Sequence, residues 1–122
     1  METKIKTIED AFIAEGLDPK LRPDVSMLPE EDQKIQIANF EIDVWVRALN
    51  NEGQEKRWVP DYKNPRQPKY EHVYYMTSSG WSLYGVHGWH TFTNCGARRV
   101  FRTREIARYA WEKLQETYKV IL

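Results

Sequence analysis

A two-residue alternation of side chains over residues 70–86 constrains the fold of this chain more than any other feature. The alternation is interrupted at Ser78-Ser79-Gly80, three residues that favour a turn. One side of the first run carries Tyr70, His72, Tyr74 and Met76, and the other side carries Glu71, Val73 and Tyr75. Residues 81–86 alternate again, so the segment predicts two antiparallel strands joined as a β-hairpin.

Two further segments predict additional strands. Residues 97–102 also alternate, and residues 57–62 form a short run that Pro60 restricts to the edge of a sheet. We therefore predict a three- to four-stranded antiparallel sheet.

Helices are predicted before and after this sheet. Thr7 is placed to cap a short helix that Gly16 ends, and Pro29 suits the first position of a long amphipathic helix. Thr103 is placed to cap a C-terminal helix, which we expect to pack on the sheet. The predicted fold class is α+β, in a single domain over 1–122. Its parts are an acidic helical part at 1–55, a basic aromatic sheet at 56–104 and the C-terminal helix at 104–122.

The net charge of zero conceals a division along the chain. Residues 1–55 contain 13 acidic and 6 basic residues, a net charge of −7, whereas residues 56–104 contain 9 basic and 2 acidic residues, a net charge of +7. One interpretation is a basic face that meets an anionic partner. The other is that the acidic helices complement the basic sheet inside the fold.

Aromatic residues are concentrated in the predicted sheet, where ten of the 16 lie between Trp58 and Phe101. A sheet covered by helices on one face leaves some of these rings exposed. Exposed rings beside Arg and Lys suit single-stranded nucleic acid, because bases stack on the rings and the cations contact phosphate. The alternative is that the rings form cross-strand pairs and core. The rings that we expect to stack on bases are those of Tyr74, Trp81, Tyr84 and Trp89.

The sharpest basic cluster lies between Arg98 and Arg104. We expect phosphate contacts from Arg98, Arg99 and Arg102, together with Lys69. Basic residues in such a strand also protect a sheet edge against aggregation, which is an equally good explanation.

Catalytic and metal-binding patterns are weak. His87, His90 and Cys95 supply three soft ligands in one segment, but their spacing matches no familiar zinc site. Cys95 and His90 would also suit a nucleophile and its base, but nothing in the sequence indicates activation of the thiol. We expect no enzymatic activity, no cofactor and no metal.

Both ends of the chain resemble a known group. The segments TIEDAFIAEGLDP, PDVSMLPEEDQKIQIA and GARRVFRTREIARYAWEKL resemble small uncharacterised proteins of gut Bacteroidetes and their bacteriophages. The resemblance covers about half of the chain and implies a phage or prophage setting, but no activity or functional residue. A looser similarity, of layout alone, is to single-stranded-DNA-binding domains of the Whirly and positive-cofactor type, from which the two acidic N-terminal helices depart.

These observations favour a non-enzymatic, phage-related binding protein that uses an aromatic and basic sheet on single-stranded nucleic acid. The alternative is a protein–protein interaction or virion-assembly module, or a homo-oligomer, using the same aromatic surface, since Tyr, Trp and Arg are also enriched in protein interfaces. The N-terminus has no apolar segment typical of a signal peptide, and no apolar run reaches the length of a membrane span. We therefore expect a cytoplasmic protein of a bacterial host cell that does not associate with membranes.

Overall fold

A computed structural model describes residues 1–122 and confirms the α+β class. It contains three α-helices and one antiparallel pair of strands. The elements are α1 (Ile8–Ala14), α2 (Glu30–Asn51), β1 (Lys69–Thr77), β2 (Gly80–Trp89), a short 3-10 helix (Ala97–Arg99) and α3 (Arg104–Val120).

Side-chain caps fix the start of two helices, as predicted. The Thr7 hydroxyl accepts from the amide of Asp10, and the Asp10 carboxylate accepts from the amide of Thr7, which completes a capping box at α1. The Thr103 hydroxyl accepts from the amide of Ile106 at the start of α3. The sequence predicts Pro29 at the first helical position of α2, but Pro29 lies one residue earlier, at the N-cap position.

The core lies where the three helices meet the hairpin. The buried face of α2 includes Trp45, which is fully buried and whose indole N–H donates to the carbonyl oxygen of Ala110 in α3 at 3.2 Å. Phe12 of α1 and Tyr118 of α3 are also buried in this cluster. Packing of amphipathic faces therefore brings α1 and α3 together on the long central helix.

The hairpin has the predicted turn and one irregularity. Thr77 pairs with Gly80 around Ser78-Ser79, and Gly80 adopts a φ of +108°, which a residue with a side chain rarely adopts. Near the middle, Tyr74 pairs with Leu83 and Val73 with Gly85, so Tyr84 is the extra residue of a β-bulge.

The prediction of three to four strands is not confirmed, because the sheet has two. Segment 97–102 forms a 3-10 helix and a single bridge from Phe101 to Tyr70. The side chain of Asn50 in α2 supplies the physical reason. Its amide donates to the carbonyl oxygen of Val100 and accepts from the amide of Arg102, both at 2.9 Å, so the helix satisfies backbone groups that a neighbouring strand would otherwise use.

The predicted edge strand at residues 57–62 is also absent, and this segment belongs to the loop between α2 and β1. Side chains hold the loop in place. The Asn51 side chain accepts from the amide of Trp58 at 2.6 Å, and the Gln67 side chain accepts from the amide of Asp61 at 2.6 Å and donates to the carbonyl oxygen of Val59 at 2.9 Å. These bonds, together with Pro60, leave few backbone groups for strand pairing.

No helix is both long enough and apolar enough to cross a membrane.

Candidate interaction surface on the hairpin

The two faces of the hairpin have different surroundings. The inner face, turned towards α3, carries Tyr70, His72 and Tyr74, and the outer face carries Lys69, Glu71, Val73 and Tyr75. This division follows the predicted alternation. On the inner face, the ring of His72 lies within 5.5 Å of Tyr74, 4.9 Å of Phe101 and 5.1 Å of Tyr118, measured between ring centroids.

Both ring nitrogens of His72 are occupied. Nε2 lies 2.5 Å from the carbonyl oxygen of Ala107 and therefore carries the proton, whereas Nδ1 accepts from the hydroxyl of Tyr74 at 2.8 Å. Burial lowers the pKa of His72 to about 4, although the bond to Ala107 opposes this shift. The imidazole is therefore neutral at neutral pH and acts as part of the core.

The outer face is covered at the end away from the turn, which we call the root of the hairpin. Lys69 is fully buried there, and its ammonium group donates to three backbone carbonyl oxygens, those of Asn64 at 3.2 Å, Gln67 at 2.9 Å and His90 at 2.5 Å. The ring of Tyr62 lies 5.0 Å from Nζ. Lys69 thus uses all three of its donors to hold the loops on either side of the hairpin against the root.

Glu71, the next residue on the same face, holds the loop that follows β2. Its carboxylate accepts from the hydroxyl of Thr93, the amides of Asn94 and Cys95, and the thiol of Cys95. Burial raises the pKa of Glu71, but these hydrogen bonds outweigh it, so the pKa lies below its ordinary value of 4.5. The residue therefore stays ionised while it is buried, because hydrogen bonds from the loop stabilise its charge.

The same contact changes the chemistry of Cys95. Burial of the thiol, together with the hydrogen bond to Glu71 and the charge of that carboxylate, raises the pKa of Cys95 to about 12. The sulfur is therefore a protonated thiol at neutral pH and acts as a hydrogen-bond donor, although the residue as a whole is exposed.

The other half of the outer face, near the turn, is uncovered. Tyr75 is 46% exposed and Tyr84 is 69% exposed, and their ring centroids lie 5.4 Å apart in an edge-to-face arrangement. The bulge gives Tyr84 this position, because it is the unpaired residue of β2. We call this surface the outer tip, formed by Val73, Tyr75, Thr77, Ser82 and Tyr84.

Arg98 and Arg99, two of the residues expected to contact phosphate, lie beside an acid of α2. Arg99 Nη2 is 3.2 Å from Asp43 Oδ1 and donates to Asn39 Oδ1 at 2.9 Å, whereas Arg98 is more exposed and lies 3.8 Å from Asp43 Oδ2. The groove that these two arginines line also contains Asp24, Asp32 and Asp43. Three acids beside two bases do not make this groove a favourable phosphate site.

Arg102 and Lys69, the other two predicted cations, also have partners within the chain. Arg102 Nε donates to the carbonyl oxygen of Asn50 at 2.9 Å, and Lys69 is enclosed at the root. Lys69 consequently has no exposed surface with which to meet a phosphate, a burial that the sequence did not indicate.

The predicted aromatic residues are also divided between different surroundings. Tyr74 belongs to the inner cluster, where its ring centroid lies 5.3 Å from that of Trp111, and Trp81 is half-buried on the inner side opposite Met76. Trp89 is half-buried at the root, 6.1 Å from the ring of Phe92, so only Tyr84 lies at the outer tip. The structure therefore does not bring the eight predicted site residues together on one surface.

The residue that the sequence reasoning missed is Tyr75. The alternation of β1 places it correctly on the face opposite Tyr74 but does not indicate which of the two faces the helices cover. Glu71 carried the available signal, since an acidic residue on the side of Tyr75 favours that side as the outer one.

Ion pairs connect the acidic and basic parts of the chain. Besides the pairs of Asp43, the Glu15 carboxylate at the end of α1 contacts the guanidinium group of Arg57. These contacts agree with the interpretation in which the acidic helices complement some of the basic residues inside the fold.

The possible ligands His87, His90 and Cys95 do not form a cluster. The structure contains no group of three or more His, Cys, Asp or Glu side chains that would hold a metal ion. Searches of family models, curated proteins and solved structures find no match to this chain.

Proposed function

We propose that this chain is a non-enzymatic binding protein that recognises another protein through the outer tip of its hairpin. The observation that carries the proposal is the exposed pair of Tyr75 and Tyr84 on the uncovered half of the outer face. Tyrosine is enriched in protein interfaces because its ring supplies apolar contact area and its hydroxyl supplies a hydrogen bond. The resemblance of both chain ends to phage-related proteins supports a phage or prophage setting for this interaction.

The charge distribution supports the same proposal. Residues 72–97 contain no Asp, Glu, Lys or Arg, although 30% of the whole chain is charged. This uncharged stretch includes the outer tip and all of β2. The centre of a protein interface is depleted of charged residues, so a neutral aromatic face fits a protein partner better than a phosphate backbone.

Single-stranded nucleic acid is the second candidate, supported by a different set of residues from those in the sequence prediction. Lys63 and Arg66 have no ion-pair partner in the chain, and they flank Asn64 in the loop that Lys69 connects to His90. Phe92, which is 70% exposed, follows His90. Lys69 thus joins the loop with the two free cations to the loop with the exposed ring, and cations and exposed rings are the groups that track phosphate and stack on bases.

The test of the protein-binding proposal uses a displayed library of random linear peptides as the probe. Peptides selected on the wild-type chain are measured against a Tyr75→Ser/Tyr84→Ser double variant. The matched control is Ile13→Ser, which also removes an exposed apolar side chain, but from α1. We expect the double variant to lose most of the binding and the control to retain it, because interface energy is concentrated in a few aromatic anchors.

The competing candidate is tested with mixed-sequence single-stranded oligonucleotides at about 50 mM salt, a condition that favours phosphate contacts. Binding that quenches tryptophan fluorescence, weakens steeply with salt and is lost in a Lys63→Ala/Arg66→Ala variant would replace the first proposal with the second. Peptide binding that the double tyrosine variant leaves intact would also overturn it.

A further inference from the structure

The outer edge of β2 is a surface that the proposed function does not use. The sheet has two strands, and the single bridge to segment 97–102 is made on the β1 side, by Tyr70. β2 therefore has no neighbouring strand on its other side. We propose that two copies of the chain pair through this edge, β2 against β2 in antiparallel orientation, to form one four-stranded sheet.

The pairing pattern identifies which backbone groups are free. Thr77 and Gly80 close a two-residue turn and are a hydrogen-bonded pair, so Tyr75 and Ser82 are one as well. The alternating residues Trp81 and Leu83 then direct their N–H and C=O groups away from β1. No backbone hydrogen bond outside the hairpin uses these groups, which leaves four unpaired polar groups in a row along the edge.

The root half of the same edge is already occupied. The guanidinium group of Arg104 donates to the carbonyl oxygen of Val86 and lies over the ring of Tyr70. A new strand is therefore restricted to the tip half, from Gly80 to Tyr84. This restriction defines a short interface, and it excludes a partner strand that would need the whole length of β2.

The second copy is the partner that the charge pattern favours. Exposed edges in other proteins are protected by lysine, proline, inward-pointing charges or a β-bulge, and β2 has none of these from Gly80 to Leu83, before the bulge at Tyr84. Because residues 72–97 are uncharged, two copies meet there without like-charge repulsion. A symmetric pair also needs one patch only, which contacts itself across a two-fold axis.

The free groups set the register of the pair. Trp81 of one copy must pair with Leu83 of the other, and Leu83 with Trp81, so that each pair exchanges backbone hydrogen bonds. Ser82 then lies opposite Ser82 of the second copy, on the two-fold axis. In this register Tyr84 lies opposite Gly80 of the second copy. A side chain added at Gly80 would meet no atom within 4 Å, so the ring has room there.

The dimer would place two outer tips side by side on one face of a continuous sheet. Each copy contributes its Tyr75 and Tyr84, so the neutral aromatic surface doubles. The inference does not depend on the proposed function, because the edge pairs through backbone groups and the outer tip binds through side chains.

The test is the oligomeric state of the full chain, measured by sedimentation velocity over a range of concentrations. We expect a reversible dimer for the wild type. The variants Ser82→Lys and Ser82→Glu each place two like charges on the axis and should weaken the dimer at least about tenfold. An equal mixture of these two variants should restore it, since opposite charges then meet. Ser79→Lys in the exposed turn is the matched control and should leave the dimer unchanged.

A wild-type chain that remains a monomer at all concentrations would overturn the inference, as would a mixture that associates no better than its two components. Circular dichroism shows whether each variant is folded. A Ser82→Cys variant in a Cys95→Ser background gives an independent readout, because opposed residues of a non-hydrogen-bonded pair lie about 4.5 Å apart, within the range of a disulfide. It should cross-link under mild oxidation much faster than Ser79→Cys, and equal rates would contradict the register.

Discussion

The inner and outer faces of one nine-residue strand, β1, are both rich in polar and aromatic side chains, yet they are stabilised in different ways. On the inner face, His72 and Tyr74 bond to each other within a cluster of rings from α3. On the outer face, Lys69 and Glu71 bond to the backbone and side chains of two loops. The inner face therefore connects the hairpin to the helical core, whereas the outer face organises loops at the root and leaves the tip free.

This difference shows that burial alone does not identify a functional surface in this molecule. Lys69 and Glu71 are among the most buried residues, but they are ions whose hydrogen bonds are satisfied by loops. Tyr75, four residues after Glu71 on the same face, contributes to no core cluster. Over the four residues from Glu71 to Tyr75, the outer face therefore changes from a buried surface that holds loops to an exposed surface that a partner can contact.

The largest expected effect is the difference in stability between truncating Tyr74 and truncating its neighbour Tyr75. Tyr74→Ala removes a ring that packs on Trp111 and Tyr118 and leaves His72 Nδ1 without its donor, and it should lower the free energy of unfolding by about 4 kcal/mol. Tyr75→Ala removes a ring that is half exposed and should cost less than about 1 kcal/mol. Chemical denaturation of both variants measures the difference.

Tyr74→Phe is the control for that pair, because it removes the hydroxyl and keeps the ring. It should cost about 1 kcal/mol, the value of a lost hydrogen bond. Equal losses from Tyr74→Ala and Tyr75→Ala would mean that the two faces contribute equally to stability and would contradict the comparison.

The next effect is the dependence of stability on pH, which reports on the inner face. The pKa of His72 is lowered to about 4 from an ordinary value of 6.5, so between these values the unfolded chain binds a proton that the folded chain does not. Stability therefore falls as the pH falls through this window, by about 3 kcal/mol in total. Thermal or urea unfolding between pH 7 and pH 4 measures the slope.

His72→Gln tests the assignment of this slope, because glutamine offers a donor and an acceptor but does not titrate in this range. The variant should be less stable than the wild type at pH 7 and should lose most of the slope between pH 6.5 and pH 4. An unchanged slope would assign the effect to other groups.

The sequence was sufficient to predict the parts of the molecule that local patterns determine. The caps at Thr7 and Thr103, the turn at Ser78-Ser79 and the two-sided alternation of β1 each depend on residues close together in the chain. The prediction of a third strand at 97–102 was wrong because the group that bonds to its backbone comes from a distant part of the chain. Asn50 lies 50 residues before Val100 in the chain, and nothing in the alternation of residues 97–102 indicates that a helix side chain will bond to the backbone groups of that segment.

The candidate site was harder to predict for the same reason. Whether a lysine is free for phosphate depends on which acceptors surround it, and the three carbonyl oxygens around Lys69 come from two loops on opposite sides of the hairpin. The exposure of Tyr84 depends on a bulge, which shifts the register between Val73 and Tyr74 but leaves the sequence pattern of β2 continuous. Both features are decided by packing between segments rather than by the residues themselves.

A third prediction concerns the root of the outer face. Lys69→Met preserves the length of the side chain but removes the donor shared by the carbonyl oxygens of Asn64, Gln67 and His90, which should lower the free energy of unfolding by about 2 kcal/mol. Relative to the wild type, the variant should show a larger increase in the rate of hydrogen exchange in the loops at 58–68 and 90–96 than in the helices. Lys63→Met, at an exposed position in the same loop, should change stability by less than about 0.5 kcal/mol.

The smallest effect is expected at Glu71, where a change of charge leaves the shape intact. Glu71→Gln keeps one accepting oxygen for the loop at 93–95 and should cost about 1 kcal/mol at pH 7. Because the pKa of Glu71 is lowered from 4.5, the wild-type advantage is present above pH 4.5 and is lost as the pH falls through the folded pKa, where the wild-type carboxylate also becomes neutral. The stabilities of the two chains, measured by urea unfolding, should therefore converge as the pH falls below 4.5. Glu55→Gln at an exposed position should show no such convergence. A Glu71→Gln penalty that persists at the lowest pH would mean that the loop at the root requires the second accepting oxygen of the carboxyl group rather than its charge.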